Sequence, residues 1–152
     1  FFYVSRSNDQ HLNFDLDLAK AKNNDNPVYY IQYAHARIHT VFQELRRNDF
    51  NFDKNSGISN LGLLSTNHET EIITKLGDYP NVIALSADNY SVHSLANYLL
   101  EVAQLFHSYY NAHRFIVADS EIRNARLALI AAVAIVIKDG LSLLGVSAPE
   151  QM

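Results

Sequence analysis

Apolar residues between positions 26 and 47 repeat at helical spacing, and so does a second set of residues beside them. At about 100° per residue, Ile31, Ala34, Ile38, Phe42 and Leu45 fall on one stripe. Tyr30, Tyr33, Arg37, Thr40 and Glu44 fall on another. Asn26-Pro27 starts this helix, because Asn can accept from an early helical N–H and Pro at the first position forfeits no needed donor. A helix from Pro27 to about Arg47 follows. Thr66 with Glu69 forms a capping-box signature and predicts a helix to about Asp78. Pro80 ends it and opens a short helix through Ala87. Val92, Leu95, Leu99, Val102, Phe106 and Tyr110 predict a long helix from Ser91 to about His113. Asp119-Ser120 caps a final helix to about Leu144, stopped by Gly145 and Pro149.

Elsewhere the pattern changes. Leu12, Phe14, Leu16 and Leu18 alternate with Asn13, Asp15 and Asp17, the period of an extended segment with one buried face. Asp15 and Asp17 lie on its polar face and are assigned no chemistry. Lys20 to Asn26 reads as a polar link, and Asn48 to Asn60 as a loop. Leu127 to Ile137 holds 11 residues without a charge. A membrane span needs about 20, so this run predicts a buried central helix. Gly140 shares its stripe with Leu129, Val133, Val136 and Leu144, which suggests a neighbouring backbone coming close. The expectation is an all-α helical bundle with a short extended segment at its N-terminus.

The 152 residues suit one domain, and 48% of them are apolar, enough for a packed core. With no cysteine, neither a disulfide nor a thiolate metal site can form. A net charge of −4 disfavours a general polyanion binder, so a nucleic-acid partner would have to be held by a local patch. Phe1-Phe2-Tyr3-Val4 is apolar and lacks the basic region of a signal peptide, which suggests a piece of a longer protein.

The second stripe has two readings. Tyrosine rings beside a guanidinium suit the stacking of an unpaired base. They equally suit packing on a neighbouring helix. His35 and His39 stand at i and i+4, but no third ligand is evident, and their neighbours Gln32, Gln43 and Arg46 suggest a solvated face. No metal site and no catalytic residue is assigned. Arg114, Arg123, Arg126 and Lys138 form either a phosphate-facing group or a solvated face.

Three segments carry a resemblance. They are Phe14 to Ala19, the run Asn26-Pro27-Val28-Tyr29-Tyr30-Ile31-Gln32-Tyr33-Ala34-His35-Ala36-Arg37, and the end from Gly140 to Pro149-Glu150-Gln151-Met152. Together they resemble the C-terminal part of the arginyl-tRNA synthetase family, over essentially the whole chain. The resemblance implies an all-helical anticodon-binding domain of the DALR type, spanning residues 25–152. Residues 1–24 would be the end of an upstream catalytic domain. Arg126 and Leu127 match the motif region of such domains, with Asn124 where an acidic residue is common. Neither ATP-handling signature of the family occurs in these residues, so ATP and Mg²⁺ would serve only the intact enzyme.

The implied partners are tRNA(Arg) and the upstream domain, in a monomeric cytoplasmic protein without a membrane segment. By the same resemblance, Tyr110 in the penultimate long helix contacts the anticodon loop, with Tyr109 as the off-by-one alternative. Met152, the single methionine, reaches the same pocket. The expected anticodon-binding residues are Tyr30, Tyr33, Arg37, Tyr110 and Met152. Two rivals are a helical module whose tyrosine stripe receives a partner helix and the anticodon-binding domain of a related synthetase. The Tyr-x-Gln-Tyr-Ala-His-Ala-Arg run argues against the latter.

Overall fold

Most of the helices begin where a side chain can take up the first unbonded N–H groups. This computed structural model describes residues 1, 2, 5 and 15–152. Its helices are α1 (Leu16–Lys20), α2 (Pro27–Arg47), α3 (Lys54–Ser59), α4 (Asn67–Gly77), α5 (Tyr79–Asp88), α6 (Val92–Ala112) and α7 (Ser120–Leu143), with a 3₁₀ turn at Leu61–Leu63. No strand occurs among the described residues. Asn26 accepts from the N–H groups of Val28 and Tyr29 at the start of α2. The capping box of α4 is complete, with Thr66 and Glu69 each bonding the other's backbone N–H. Asp119 caps α7. After Leu144, Gly145 takes φ +69°, a left-handed conformation that glycine adopts without a Cβ clash.

Helices α2, α6 and α7 pack on one another. Ile31, Ile38, Leu99, Phe106, Ile130 and Ile137 lie between them, fully buried. Helix α4 closes the core with Ile72. Burying side chains of this size contributes about 1.5–3 kcal/mol each before entropy is counted. None of the described helices is long and apolar enough to cross a membrane.

The structure corrects four expectations. Leu16 and Leu18 belong to the short helix α1, because Asp15 accepts from the N–H groups of Asp17 and Leu18 and favours a helical turn over extension. The rest of the alternating segment, residues 12–14, lies outside the described residues. The stretch read as a loop from Asn48 contains α3, capped by Asp53. That helix sits so close to α7 that a Cβ on Gly57 would stand 2.5 Å from the carbonyl oxygen of Asn124. At Gly140 the close neighbour is a side chain rather than a backbone, since a Cβ there would stand 2.6 Å from Leu99 Cδ2.

The charge-free run is buried on one side only. Leu127, Ile130, Val133 and Ile137 face the core. On the other side Ala131, Ala132 and Ile135 join Ile58, Leu61 and Ile73 along an open apolar groove of about 770 Å³.

Candidate nucleic-acid interface

The second stripe of α2 meets the end of α6. Helical spacing puts Tyr30, Tyr33 and Arg37 on one face of α2, and the packing of α2 on α6 brings His107 and Tyr110 against them. The Arg37 guanidinium carbon lies 4.8 Å from the Tyr33 ring centre and 4.2 Å from that of Tyr110. Both distances suit a cation over an aromatic face, an attraction of about 0.5–2 kcal/mol. The Tyr30 ring lies 4.4 Å from the His107 ring, and Tyr33 lies 5.6 Å from it. Tyr29 stacks on Tyr33 at 6.3 Å.

His107, which no motif in the sequence singles out, ties the cluster together. Arg37 Nη1 lies 3.2 Å from His107 Nδ1, and His107 Nε2 lies 3.2 Å from the Tyr30 carbonyl oxygen. A guanidinium only donates and a carbonyl only accepts. Nδ1 must therefore accept, and Nε2–H must donate, which fixes a neutral imidazole in one tautomer. Burial pushes the His107 pKa down, and the adjacent Arg37 charge lowers it further, against the opposing pull of the Tyr30 carbonyl. Burial likewise raises the Tyr30 pKa, only partly offset by Arg37, so its hydroxyl stays protonated. The one sequence signal for His107 is its place one helical turn before Tyr110.

The packing reading of the tyrosine stripe holds, and it does not close the rings off from solvent. Tyr30 and Tyr33 pack on α6 through His107, yet Tyr30, Tyr33, Arg37 and Tyr110 all remain partly exposed. Among the described residues no carboxylate pairs with Arg37. Its charge rests against two rings and a neutral imidazole, so it remains available to an anion.

Tyr109, one residue away, has a different setting. It is fully buried, and its hydroxyl donates to Glu69 Oε1 at 2.9 Å. Burial and the Glu69 carboxylate push its pKa up. Glu69 also accepts from Arg126 Nε at 3.0 Å and from the Thr66 N–H at 3.0 Å. Burial alone would raise the Glu69 pKa. The Thr66 and Tyr109 hydrogen bonds, with the Arg126 charge, outweigh it and hold the carboxyl below its ordinary value.

Of the two readings of Arg114, Arg123, Arg126 and Lys138, neither holds for the four together. Arg126 is engaged by Glu69 and by the Arg114 carbonyl, to which its Nη1 donates at 2.8 Å. Arg123 is buried, donates to the carbonyls of Val117 and Ala118, and lies 4.2 Å from the Phe50 ring centre. Only Arg114 and Lys138 of the four are exposed.

The face that looked solvated is covered by the C-terminal tail. Gln32 Nε2 donates to the Ser147 carbonyl at 2.8 Å, and His35 Nδ1 donates to that of Pro149 at 2.8 Å. His39 lies 3.7 Å from the Glu150 carboxylate. Burial lowers the His35 pKa. The two imidazoles thus hold the tail, and no group of three metal-ligating side chains occurs among the described residues. Met152 follows Glu150 by two residues, at most about 7 Å of chain, and is 51% exposed. The tail therefore runs along the face of α2 that carries Gln32, His35 and His39, turned roughly 100° or more around the helix from Tyr33 and Arg37.

Comparison with known proteins adds to this geometry. Residues 31–152 match the family described as the DALR anticodon binding domain. The chain is 59% identical over its whole length to the arginine–tRNA ligase of Coxiella burnetii (strain CbuK_Q154), covering 26% of that protein. It is 53% identical, again over its whole length and 26% of the relative, to the arginine–tRNA ligase of Thioalkalivibrio sulfidiphilus. It spans about a quarter of the length of the curated relatives it matches. Among solved structures, Thermus thermophilus arginyl-tRNA synthetase superposes with a TM-score of 0.79 and 29% identity, over 99% of this chain and 25% of that one.

Proposed function

We propose, for a chain that belongs to the DALR anticodon-binding domain family, that it reads the anticodon for an arginine–tRNA ligase. The whole-length identity to such ligases supports this reading. The intact enzyme would activate arginine with ATP and Mg²⁺ and esterify the terminal adenosine of tRNA(Arg). This chain would supply recognition, with bond-making left to residues outside it. Residues 25–152 would form the anticodon-binding domain and residues 1–24 the end of the preceding catalytic domain, in a monomeric cytoplasmic protein.

All arginine anticodons share a middle cytosine, so a pocket for that base serves every isoacceptor. Tyr33, Tyr110 and Met152 form its walls, with Tyr30 and Arg37 as neighbours. A splayed base stacks on a tyrosine ring while polar groups meet its Watson–Crick edge. The carrying observation is Arg37, which lies against rings from two helices distant in sequence and has no carboxylate partner among the described residues.

Arginylation by the full-length protein tests the reading. Loss of a base–aromatic stack costs about 1–3 kcal/mol. Tyr33→Ala or Tyr110→Ala should therefore lower kcat/KM for tRNA roughly tenfold or more, with a much smaller change in KM for arginine. Unchanged tRNA kinetics in both variants would refute it. The chain alone should not arginylate tRNA.

A further inference from the structure

Resting on that reading, we infer that the open groove between α3, α4 and α7 seats an apolar surface of the catalytic part of the same polypeptide. The groove measures about 770 Å³. Ile58 and Leu61 line one side and Ile73 of α4 the other, with Ala131, Ala132 and Ile135 of α7 between them. Of the twelve residues that line it, only Lys54 carries a charge. Ile58 and Ile135 are 53% and 66% exposed. Single exposed apolar residues are ordinary, but a contiguous set drawn from separate helices marks a surface that meets a partner.

The groove is built in advance. Gly57 lets α3 lie against α7, and the Asp53 N–H donates to Asn124 Oδ1 at 3.2 Å. Together they hold a six-residue helix of weak formers so that the residue after Gly57, Ile58, faces outward. A wall already fixed loses little freedom when the groove is filled.

Size separates the candidate occupants. A free-standing interface takes about 20–30 residues from each side, well beyond the twelve available here. A second copy or a separate protein would be held too weakly. A tethered surface needs far less, because the tether keeps it at roughly millimolar effective concentration. This chain covers 26% of the curated relatives it matches. In an enzyme of that length, the remaining three quarters or so of the polypeptide supplies such a surface.

The groove also lies away from the anticodon face. Leu127, Ile130, Val133 and Ile137 turn one side of α7 toward the core, and Ala131, Ala132 and Ile135 turn outward. Docking here leaves Tyr33, Arg37 and Tyr110 free for RNA. It also sets the angle between the part that reads the anticodon and the part that esterifies the other end of the tRNA.

The test uses the full-length protein. These 152 residues hold no cysteine, so an introduced thiol is unique within its peptide and its labelling can be followed by mass spectrometry. Ile135→Cys should react with a maleimide roughly tenfold or more slower than Ser108→Cys, because a covered thiol reacts only when the interface opens. Ser108 is exposed in the middle of α6. In urea the two rates should converge. A photo-crosslinker in place of Ile135, p-benzoylphenylalanine, keeps the site apolar. It should cross-link within one polypeptide to a peptide outside residues 1–152.

An Ile135→Cys thiol as reactive as that of Ser108→Cys would overturn the inference. So would a cross-link that joins two copies or stays within residues 1–152. Neither result bears on the anticodon-binding reading, which the Tyr33→Ala and Tyr110→Ala kinetics decide separately.

Discussion

Tyr109 and Tyr110 are neighbours on one helix, and each is served by an arginine, yet they do opposite things. Tyr109 points into the core and shares Glu69 with Arg126. There the cation has its carboxylate, the carboxylate has its donors, and the network joins α4, α6 and α7. Tyr110 is turned about 100° away, partly exposed, with Arg37 over its ring and, among the described residues, no carboxylate paired with that cation. The first arrangement is closed because every strong group is satisfied, as buried polar groups must be. The second leaves a charge and a ring face available. The difference teaches that residue type does not separate structure from site, since both places use Tyr and Arg. The presence or absence of the neutralising carboxylate does.

The comparison breaks most sharply at Glu69. Glu69→Ala removes the acceptor that Tyr109 and Arg126 share and leaves a partly buried cation unpaired. A loss of about 3–5 kcal/mol in unfolding free energy is expected, read by urea denaturation. Because the folded-state pKa of Glu69 lies below its ordinary value of 4.5, its contribution is fully present above that value. It is lost as pH falls through the lower folded pKa. Glu69→Gln should therefore flatten the pH dependence of stability in the acid range.

Tyr109→Phe deletes one hydrogen bond to a charged group. It should cost about 1.5–3 kcal/mol of stability and leave tRNA kinetics near those of the unaltered protein. Tyr110→Phe should do neither if stacking dominates. Its stability should stay within about 0.5 kcal/mol, and arginylation should persist. A Tyr110→Phe variant that folds normally but loses tRNA use would assign the reading to the hydroxyl.

The smallest expected effect concerns His107. Its pKa is lowered in the folded protein, so NMR should show its ring titrating below the ordinary 6.5. Its contribution to stability is complete above 6.5 and lost as pH falls through the lower folded value. Once protonated, Nδ1 can no longer accept from Arg37, and the arginine keeps α6 only through the Tyr110 ring. A ring that titrates at or above 6.5 would contradict the tautomer assigned to it.

The long helices were legible because their signals are local. Asn26-Pro27, Thr66 with Glu69, and Asp119 each mark a start through hydrogen bonds to residues two or three along. The stripe of Tyr30, Tyr33 and Arg37 was legible for the same reason, because helical geometry alone groups them. Contacts across the fold were not. His107 meets Arg37 over 70 positions of sequence, and His35 meets Pro149 over 114. Nothing in either neighbourhood signals the partner, which is why a face now covered by the tail read as open to water. Helix α3 escaped notice because it is only six residues long and Asn55, Ser56, Gly57 and Ser59 are weak helix formers. It exists because Gly57 lets it lie against α7. Arg123 and Arg126 read as surface cations because composition does not reveal that backbone carbonyls and Glu69 consume them.

The central claim is that the open arrangement at Tyr110, and not the closed one at Tyr109, meets the anticodon. The most direct measurement is a ¹³C-tyrosine NMR titration of the full-length protein with the tRNA(Arg) anticodon hairpin, carrying cytosine or uracil at the middle position. The account predicts that the Tyr33 and Tyr110 ring resonances shift with the cytosine hairpin and respond far less to the uracil one, while Tyr109 stays in place. Shifts confined to tyrosines away from Arg37, or identical shifts with both hairpins, would contradict it.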